Sequence, residues 1–171
     1  MDREMKRPGG GRIEELYLRH APYALRLAFL LTGNMSVAEE LVQEAFARVI
    51  GRLGHLRDPA AFGAYLRVAV TNLSRNHFRT VSRERRFLQR IGPLVREESS
   101  EPDVGGRAAV LHALKDLAER QRTALVLRFY EDLTDEQTAE ILRCRTGTVR
   151  SLVSRGMATL RATLKGEWDA D

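Results

Sequence analysis

The chain has 171 residues, 43% of them hydrophobic, which is enough to bury one or two small cores, so we expect two compact units rather than one large one. The formal net charge of +5 indicates a polyanionic partner. The basic residues are almost all arginine, with lysine only at Lys6, Lys115 and Lys165. An arginine fork suits phosphates and base edges, although genomic codon bias explains the same preference equally well.

Cysteine content and hydropathy exclude several other classes of protein. Cys144 is the only cysteine, which excludes an internal disulfide and a multi-cysteine metal site and fits a reducing cytosol. The stretch from Met1 to Arg12 is polar and glycine-rich, and no apolar run is long enough to span a bilayer. The sequence has no phosphate loop, metalloprotease motif or nucleophile elbow. We therefore expect a cytoplasmic, nucleoid-associated protein that is not an enzyme, needs no metal or cofactor and has no membrane partner.

Helical periodicity recurs along the chain and strand signals are absent, which predicts an all-α fold. An apolar stripe that starts at Ile13 is followed by Pro22, which either kinks this helix or opens the next one, and the pattern runs to Gly33. A capping-box pattern predicts a further helix from Ser36. Asp58 is the expected N-cap of the helix after that.

The helical pattern predicts two small domains, a helical bundle and a helix-turn-helix unit, joined by a flexible linker. The segment "RIGPLVREESSEPDVGG" combines prolines, glycines and acids, a composition that buries little surface. The predicted organisation is a disordered N-terminus over residues 1–12, the bundle over 13–87, the linker over 88–106 and the helix-turn-helix domain over 107–171.

The second domain contains "LTDEQTAEILRCRTGTVRSLVSRGMATLR". Thr134 is placed to cap a first helix, and the break "RCRT" separates it from a second helix that begins near Thr146. The inner side of the second helix is apolar, with Val149, Val153, Met157 and Leu160. Hydrogen-bond donors occupy the outer side. This pattern is typical of a DNA-binding helix-turn-helix, and an ordinary helical hairpin with a solvated basic face is the alternative.

Three segments resemble bacterial RNA polymerase sigma factors of the extracytoplasmic-function type, within the sigma-70 family. "AEILRCRTGTVRSLVSRGMATLR" is similar to the segment that reads the promoter −35 element in that family. "AEELVQEAFARVI" looks like its polymerase-binding helix, and "FGAYLRVAVTNLSRNHFR" looks like its −10 element segment. The matches stand in the family's order and cover most of residues 13–165. The resemblance implies an alternative sigma factor that binds core RNA polymerase and promoter DNA, and it leaves open whether an anti-sigma factor binds as well.

The resemblance also assigns three sets of functional residues. The polymerase-binding set comprises Glu40, Gln43 and Glu44. The set for melted −10 DNA comprises Phe62, Tyr65, Arg67, Asn72, Arg75, Asn76 and Arg79. The set for duplex −35 DNA comprises Arg145, Thr146, Thr148, Arg150, Ser151, Ser154 and Arg155. A solvated helix surface is the alternative for the first set, and a place in the core is the alternative for Phe62.

Two positions depart from the family pattern. Arg143 stands where the family usually has a turn glycine, so this residue must adopt a left-handed conformation at a cost of about 1 kcal/mol, or the turn must change. Leu152 replaces a common basic residue, which puts the details of −35 reading in doubt. Two other functions remain open on the sequence alone: a free-standing helix-turn-helix regulator, and a helical adaptor whose basic faces bind protein or RNA.

Overall fold

A computed structural model describes residues 10–52, 59–89 and 106–168, and within these ranges the chain forms helices and no strand. The α-helices, in chain order, are α1 Gly10–Thr32, α2 Met35–Ile50, α3 Phe62–Gln89, α4 Gly106–Lys115, α5 Glu119–Leu125, α6 Asp135–Leu142 and α7 Thr146–Trp168. A 3₁₀ turn over Pro59–Ala61 precedes α3, and a π-helical turn over Val126–Tyr130 follows α5. The all-α prediction is confirmed.

Helices α1, α2 and α3 pack on one another and form the first domain. Its core contains Leu27, Leu31, Phe46 and Leu66, which recur at helical spacing in their own segments. Pro22 lies inside α1, and the helix continues through it to Thr32, so the predicted alternative of a new helix at this proline is wrong. Helix α1 also includes residues 10–12, which the sequence assigned to the N-terminal segment.

The short connection between α1 and α2 replaces the predicted cap at Ser36. Gly33 adopts φ +70°, a left-handed conformation that favours glycine, and its N–H donates to the Phe29 carbonyl at 2.7 Å. Asn34 then caps α2, because its side-chain oxygen accepts from the Val37 N–H at 3.1 Å. The prediction of Ser36 as the cap is therefore wrong by two residues, since an asparagine with the required extended backbone precedes it.

Helices α4 to α7 form the second domain, and α6 and α7 are its helix-turn-helix. The Thr134 side chain accepts from the Gln137 N–H at 3.2 Å, and the Gln137 side chain accepts from the Thr134 N–H at 2.8 Å, so the N-terminus of α6 has a complete capping box. Arg143 ends α6 at φ 52° and ψ 54°, which confirms the predicted left-handed conformation at a position without glycine.

Helix α7 packs closely on α5 and α6. A Cβ added to Gly156 would lie 2.9 Å from Leu125 Cδ1, so this approach requires glycine. The core of the second domain contains Leu127, Leu142, Val149 and Leu152. Leu152 is only 7% exposed, which explains an apolar residue at a position where the family usually has a basic one. The side chain packs inward and takes no part in the outer face of α7.

The two domains contact each other through α1 and α3 on one side and α4, α5, the π turn and α6 on the other. Val126 belongs to the core cluster of the first domain although the π turn carries it. Arg122, which is 5% exposed, donates to the Leu31 carbonyl at 3.0 Å, to Lys115 at 2.7 Å and to Leu117 at 3.2 Å. Its guanidinium carbon lies 5.2 Å from the centre of the Phe78 ring.

The predicted linker over residues 88–106 overlaps two helix ends, because α3 continues to Gln89 and α4 begins at Gly106. The remainder of that segment, the predicted N-cap Asp58 and residues 1–9 lie outside the described ranges.

Candidate nucleic-acid interface

A pocket of about 340 Å³ lies between α2 and α3, and Tyr65 and Asn72 of the predicted −10 set line it. Tyr65 is 55% exposed, so its ring is free to stack on a planar partner. The Asn72 amide offers both a donor and an acceptor to a base edge. Val68 and Ala69 supply an apolar wall. The pocket therefore combines the groups that hold an unpaired base.

Two arginines of this pocket were missed in the sequence reading. Arg48 and Arg52 come from the end of α2, which the sequence assigned to polymerase binding, and they line the pocket opposite Tyr65 and Asn72. Arg48 also forms an i,i+4 ion pair with Glu44. The one available signal is the spacing of four between two basic residues at the end of a helix.

The structure places Phe62 in the core, which corrects its assignment to the −10 set. Phe62 is 1% exposed. Its ring centroid lies 5.9 Å from that of Phe46 and 5.1 Å from that of His20. A base cannot stack on a ring that is covered on this scale, so the core reading of Phe62, the alternative stated from the sequence, is the one that the structure supports.

Arg67 of the predicted −10 set is engaged by the second domain. Its Nε donates to Glu131 Oε2 at 2.5 Å, and the Tyr23 hydroxyl donates to the same oxygen at 2.5 Å. Burial and the hydrogen bond to Glu131 raise the pKa of Tyr23 well above its usual range, so the hydroxyl keeps its proton and acts as a donor. Arg67 is therefore not available to a phosphate in this arrangement.

A cleft of about 480 Å³ lies between α3 and the second domain, and the other predicted −10 residues line it. Arg75 Nε lies 3.6 Å from Glu119 Oε1, and burial lowers the pKa of Arg75. Arg79 and Asn76 are exposed at its edge. Arg120 and Arg143 add two cations from the second domain. The cleft is thus strongly basic, with one carboxylate among four arginines.

The predicted −35 residues lie at the start and on the outer face of α7. The exposed members are Arg145, Arg150, Ser151, Ser154 and Arg155, and the half-buried members are Thr146 and Thr148. Ser151 and Arg155 donate to the Gly147 and Ser151 carbonyls at 3.0 and 3.2 Å, so both side chains lie along the helix. The arrangement presents donors at the spacing that a helix in the major groove needs.

Asp135 holds Arg150 in place, although the sequence reading found no acid near this helix. Arg150 Nε donates to Asp135 Oδ2 at 2.9 Å, and Arg128 Nε lies 2.9 Å from the other carboxylate oxygen. The hydrogen bond to Asp135 raises the pKa of Arg150. Because Asp135 lies in the first turn of α6, a linear inspection of α7 could not reveal this pair. The pair is exposed, so a phosphate competes with it readily.

The polymerase-binding set lies on a separate surface of α2. Glu40, Gln43 and Glu44 are all exposed. The opposite side of the same helix buries Val42 and Phe46 in the core. The helix therefore presents an acidic, amide-bearing face that the rest of the chain does not cover.

The fold and these surfaces define a two-domain helical protein with a helix-turn-helix as its second domain. Comparison with known proteins identifies the family. A model of Sigma-70 region 2 matches residues 16–84, and a model of Sigma-70, region 4 matches residues 113–162. The chain belongs to the sigma-70 family, in the extracytoplasmic-function group of RNA polymerase sigma factors.

Relatives and solved structures agree with this assignment. The chain is 33% identical over 151 residues to the RNA polymerase sigma-E factor of Streptomyces coelicolor, covering 88% of this chain and 85% of that protein. It is 34% identical over 154 residues to the ECF RNA polymerase sigma factor SigE of Mycolicibacterium smegmatis, covering 86% and 60%. A crystal structure of the sigma factor RpoE with the anti-sigma factor NepR from Bartonella quintana is similar with a TM-score of 0.69 and 25% identity, covering 90% of this chain and 97% of that one.

Other kinds of site were sought in the described ranges. Over residues 10–52, 59–89 and 106–168, no three His, Cys, Asp or Glu side chains are grouped so that they could ligate a metal ion. In the same part of the chain, none of the helices has the length and hydropathy of a membrane span.

We expect Phe62→Ala to lower the free energy of unfolding by about 3–5 kcal/mol, because it removes a buried ring from the core. Tyr65→Ala should cost about 0.5 kcal/mol or less, since the ring is exposed. Urea denaturation followed by circular dichroism measures both. A small loss for Phe62→Ala, similar to that for Tyr65→Ala, would contradict the core assignment.

Proposed function

We propose that this protein binds core RNA polymerase and directs it to promoters by reading a duplex −35 element with α7 and holding melted −10 DNA on α3. The observation that carries this proposal is the separation of three surfaces in a chain of the sigma-factor family: the acidic face of α2, the Tyr65 and Asn72 pocket, and the outer face of α7. The polymerase performs the RNA chemistry, and the protein acts in the cytoplasm at the nucleoid.

The pocket between α2 and α3 supplies the energy to trap an unpaired base. Removing a base from the stack costs a few kcal/mol, and stacking on an exposed aromatic ring returns about 1–3 kcal/mol. Tyr65 therefore offsets most of this cost by itself. Asn72 adds hydrogen bonds to the base edge, and Arg48 and Arg52 add charge beside the phosphates. Together these groups are sufficient to hold one flipped base.

The acidic face of α2 supports docking on a basic surface of the polymerase. Glu40 and Glu44 are exposed, and the core that lies beneath them fixes the helix. A complementary charge on the partner accelerates association and suppresses wrong partners.

An anti-sigma protein is a further partner that we infer for this chain. RpoE of Bartonella quintana, which is similar over most of its length, was crystallised with the anti-sigma factor NepR. The chain has an apolar groove of about 330 Å³ between α1, α4, the π turn and α7, and exposed Phe129 lines it. Such a groove suits the apolar face of a partner helix.

Reversing Glu40 and Glu44 together to Lys should abolish binding to core polymerase, because like charges would then face a basic partner. The free energy of unfolding should change by only about 1 kcal/mol, since both side chains are exposed. Fluorescence anisotropy of labelled protein titrated with core polymerase measures the affinity. Reversal of Glu14 and Glu15 on α1 is the matched control, because it changes the net charge equally on another exposed surface. Equal loss in both variants would remove α2 as the docking face.

Asn72→Ala should reduce transcription from a fully duplex promoter and leave a promoter that is mismatched over the −10 element nearly unaffected. The mismatch removes the cost of unpairing, so the variant loses its disadvantage there. Runoff transcription with reconstituted holoenzyme on the two templates measures the ratio. If the defect were as large on the mismatched template, the role of Asn72 in melting would be contradicted.

Arg150→Ala and Arg155→Ala should each lower −35-dependent transcription roughly tenfold, because each removes a charged fork from the groove-facing side of α7. Arg161→Ala is the control, since Arg161 is exposed on the same helix outside the predicted set. Templates with and without a −35 element, transcribed by each holoenzyme, give the measurement. An equal effect of Arg161→Ala would mean that only the overall charge of α7 matters.

A further inference from the structure

Two carboxylates of the second domain meet two arginines of the proposed −10 face. Glu131 pairs with Arg67, and Glu119 lies 3.6 Å from Arg75. The two arginines are eight residues apart on α3, which places them about 12 Å apart along one side of the helix. The acids come from different elements, α5 and the residue after the π turn. Two separate parts of the second domain therefore reach the same face.

Both pairs are withdrawn from solvent. The Glu131 side chain is 2% exposed, and the Arg67 and Arg75 side chains are 26% and 12% exposed. The Tyr23 hydroxyl donates to the Glu131 oxygen that Arg67 binds, so α1 fixes the carboxylate from a third direction. A DNA strand cannot bind these guanidinium groups until the acids leave.

Promoter geometry requires that they leave. Elements centred at −10 and −35 are about 25 base pairs apart, or about 85 Å along B-form DNA. A compact chain of this length has a radius of gyration of only about 16 Å. The arrangement in which α3 contacts α5 and α6 therefore cannot contact both elements together.

We propose that Glu119 and Glu131 act as an intramolecular substitute for the phosphates of the −10 strand, so that the free chain masks its own melted-DNA face. This inference rests on the proposed function. The masking is partial, because the Tyr65 and Asn72 pocket stays open while the arginine track beside it is covered. The strand displaces the acids because it brings several phosphates to a cleft where Arg75, Arg79, Arg120 and Arg143 face one carboxylate.

The test uses the full chain and a fluorescein-labelled oligothymidine of about 15 nucleotides, without polymerase. Replacing Glu119 and Glu131 together by Gln should tighten binding about tenfold in anisotropy titrations, because the competing charges are gone while the side-chain shapes remain. Replacing Glu14 and Glu39 by Gln is the matched control, since it gives the same net charge on exposed surfaces. The control should change the affinity by less than about twofold. Equal affinities of the two double variants would overturn the proposal.

A second measurement covers misfolding. Tyr23→Phe keeps both acids and removes only one hydrogen bond to Glu131, so it should tighten oligothymidine binding in the same direction by a smaller factor. Helix content by circular dichroism should equal that of the wild type. If Tyr23→Phe weakened binding with its helix content intact, the proposal would be wrong. Failure of the proposed function would appear separately, as a wild-type chain that never captures core polymerase, because the oligothymidine titration contains none.

Discussion

The buried guanidinium of Arg122 determines how the second domain sits on the first. Burying a charge costs several kcal/mol, and burial lowers the pKa of Arg122 for the same reason. The compensation comes from carbonyl oxygens at the ends of α1 and α4, which have no partner within their own helices and carry the negative end of the helix dipole. Because one of these oxygens belongs to Leu31, α5 cannot leave α1 without giving up part of that compensation.

The same interface contains polar atoms that are incompletely satisfied. Within the described ranges, Glu131 Oε1, Arg75 Nε and Arg122 Nε are buried without a hydrogen-bond partner. Each such atom costs about 1–3 kcal/mol relative to full pairing. The apolar contribution of Val126 and the paired charges are therefore opposed by terms of similar size. An interface balanced in this way suits two domains that must separate on a promoter.

Local features of the sequence predicted the parts of the fold that depend on neighbouring residues. The Thr134 capping box and the left-handed Arg143 follow from side chains within four positions of each other. The cap at Ser36 was wrong because asparagine and serine compete for the same role and Asn34 comes first. Phe62 lies where the core stripe of α3 adjoins its functional face, so periodicity alone did not decide its side. The Arg67–Glu131 pair joins residues 64 positions apart, and no pattern in one segment indicates such a partner.

The closed arrangement also limits what can open it. A ligand shifts an equilibrium between two conformations only by the difference between its affinities for them. The Glu40, Gln43 and Glu44 face is exposed in the closed chain, so docking of polymerase there alone has no preference for the open form. The preference must come from a ligand that occupies the covered side of α3 or draws the second domain away. The −10 strand meets the first condition, and a −35 element held at a distance by the polymerase meets the second.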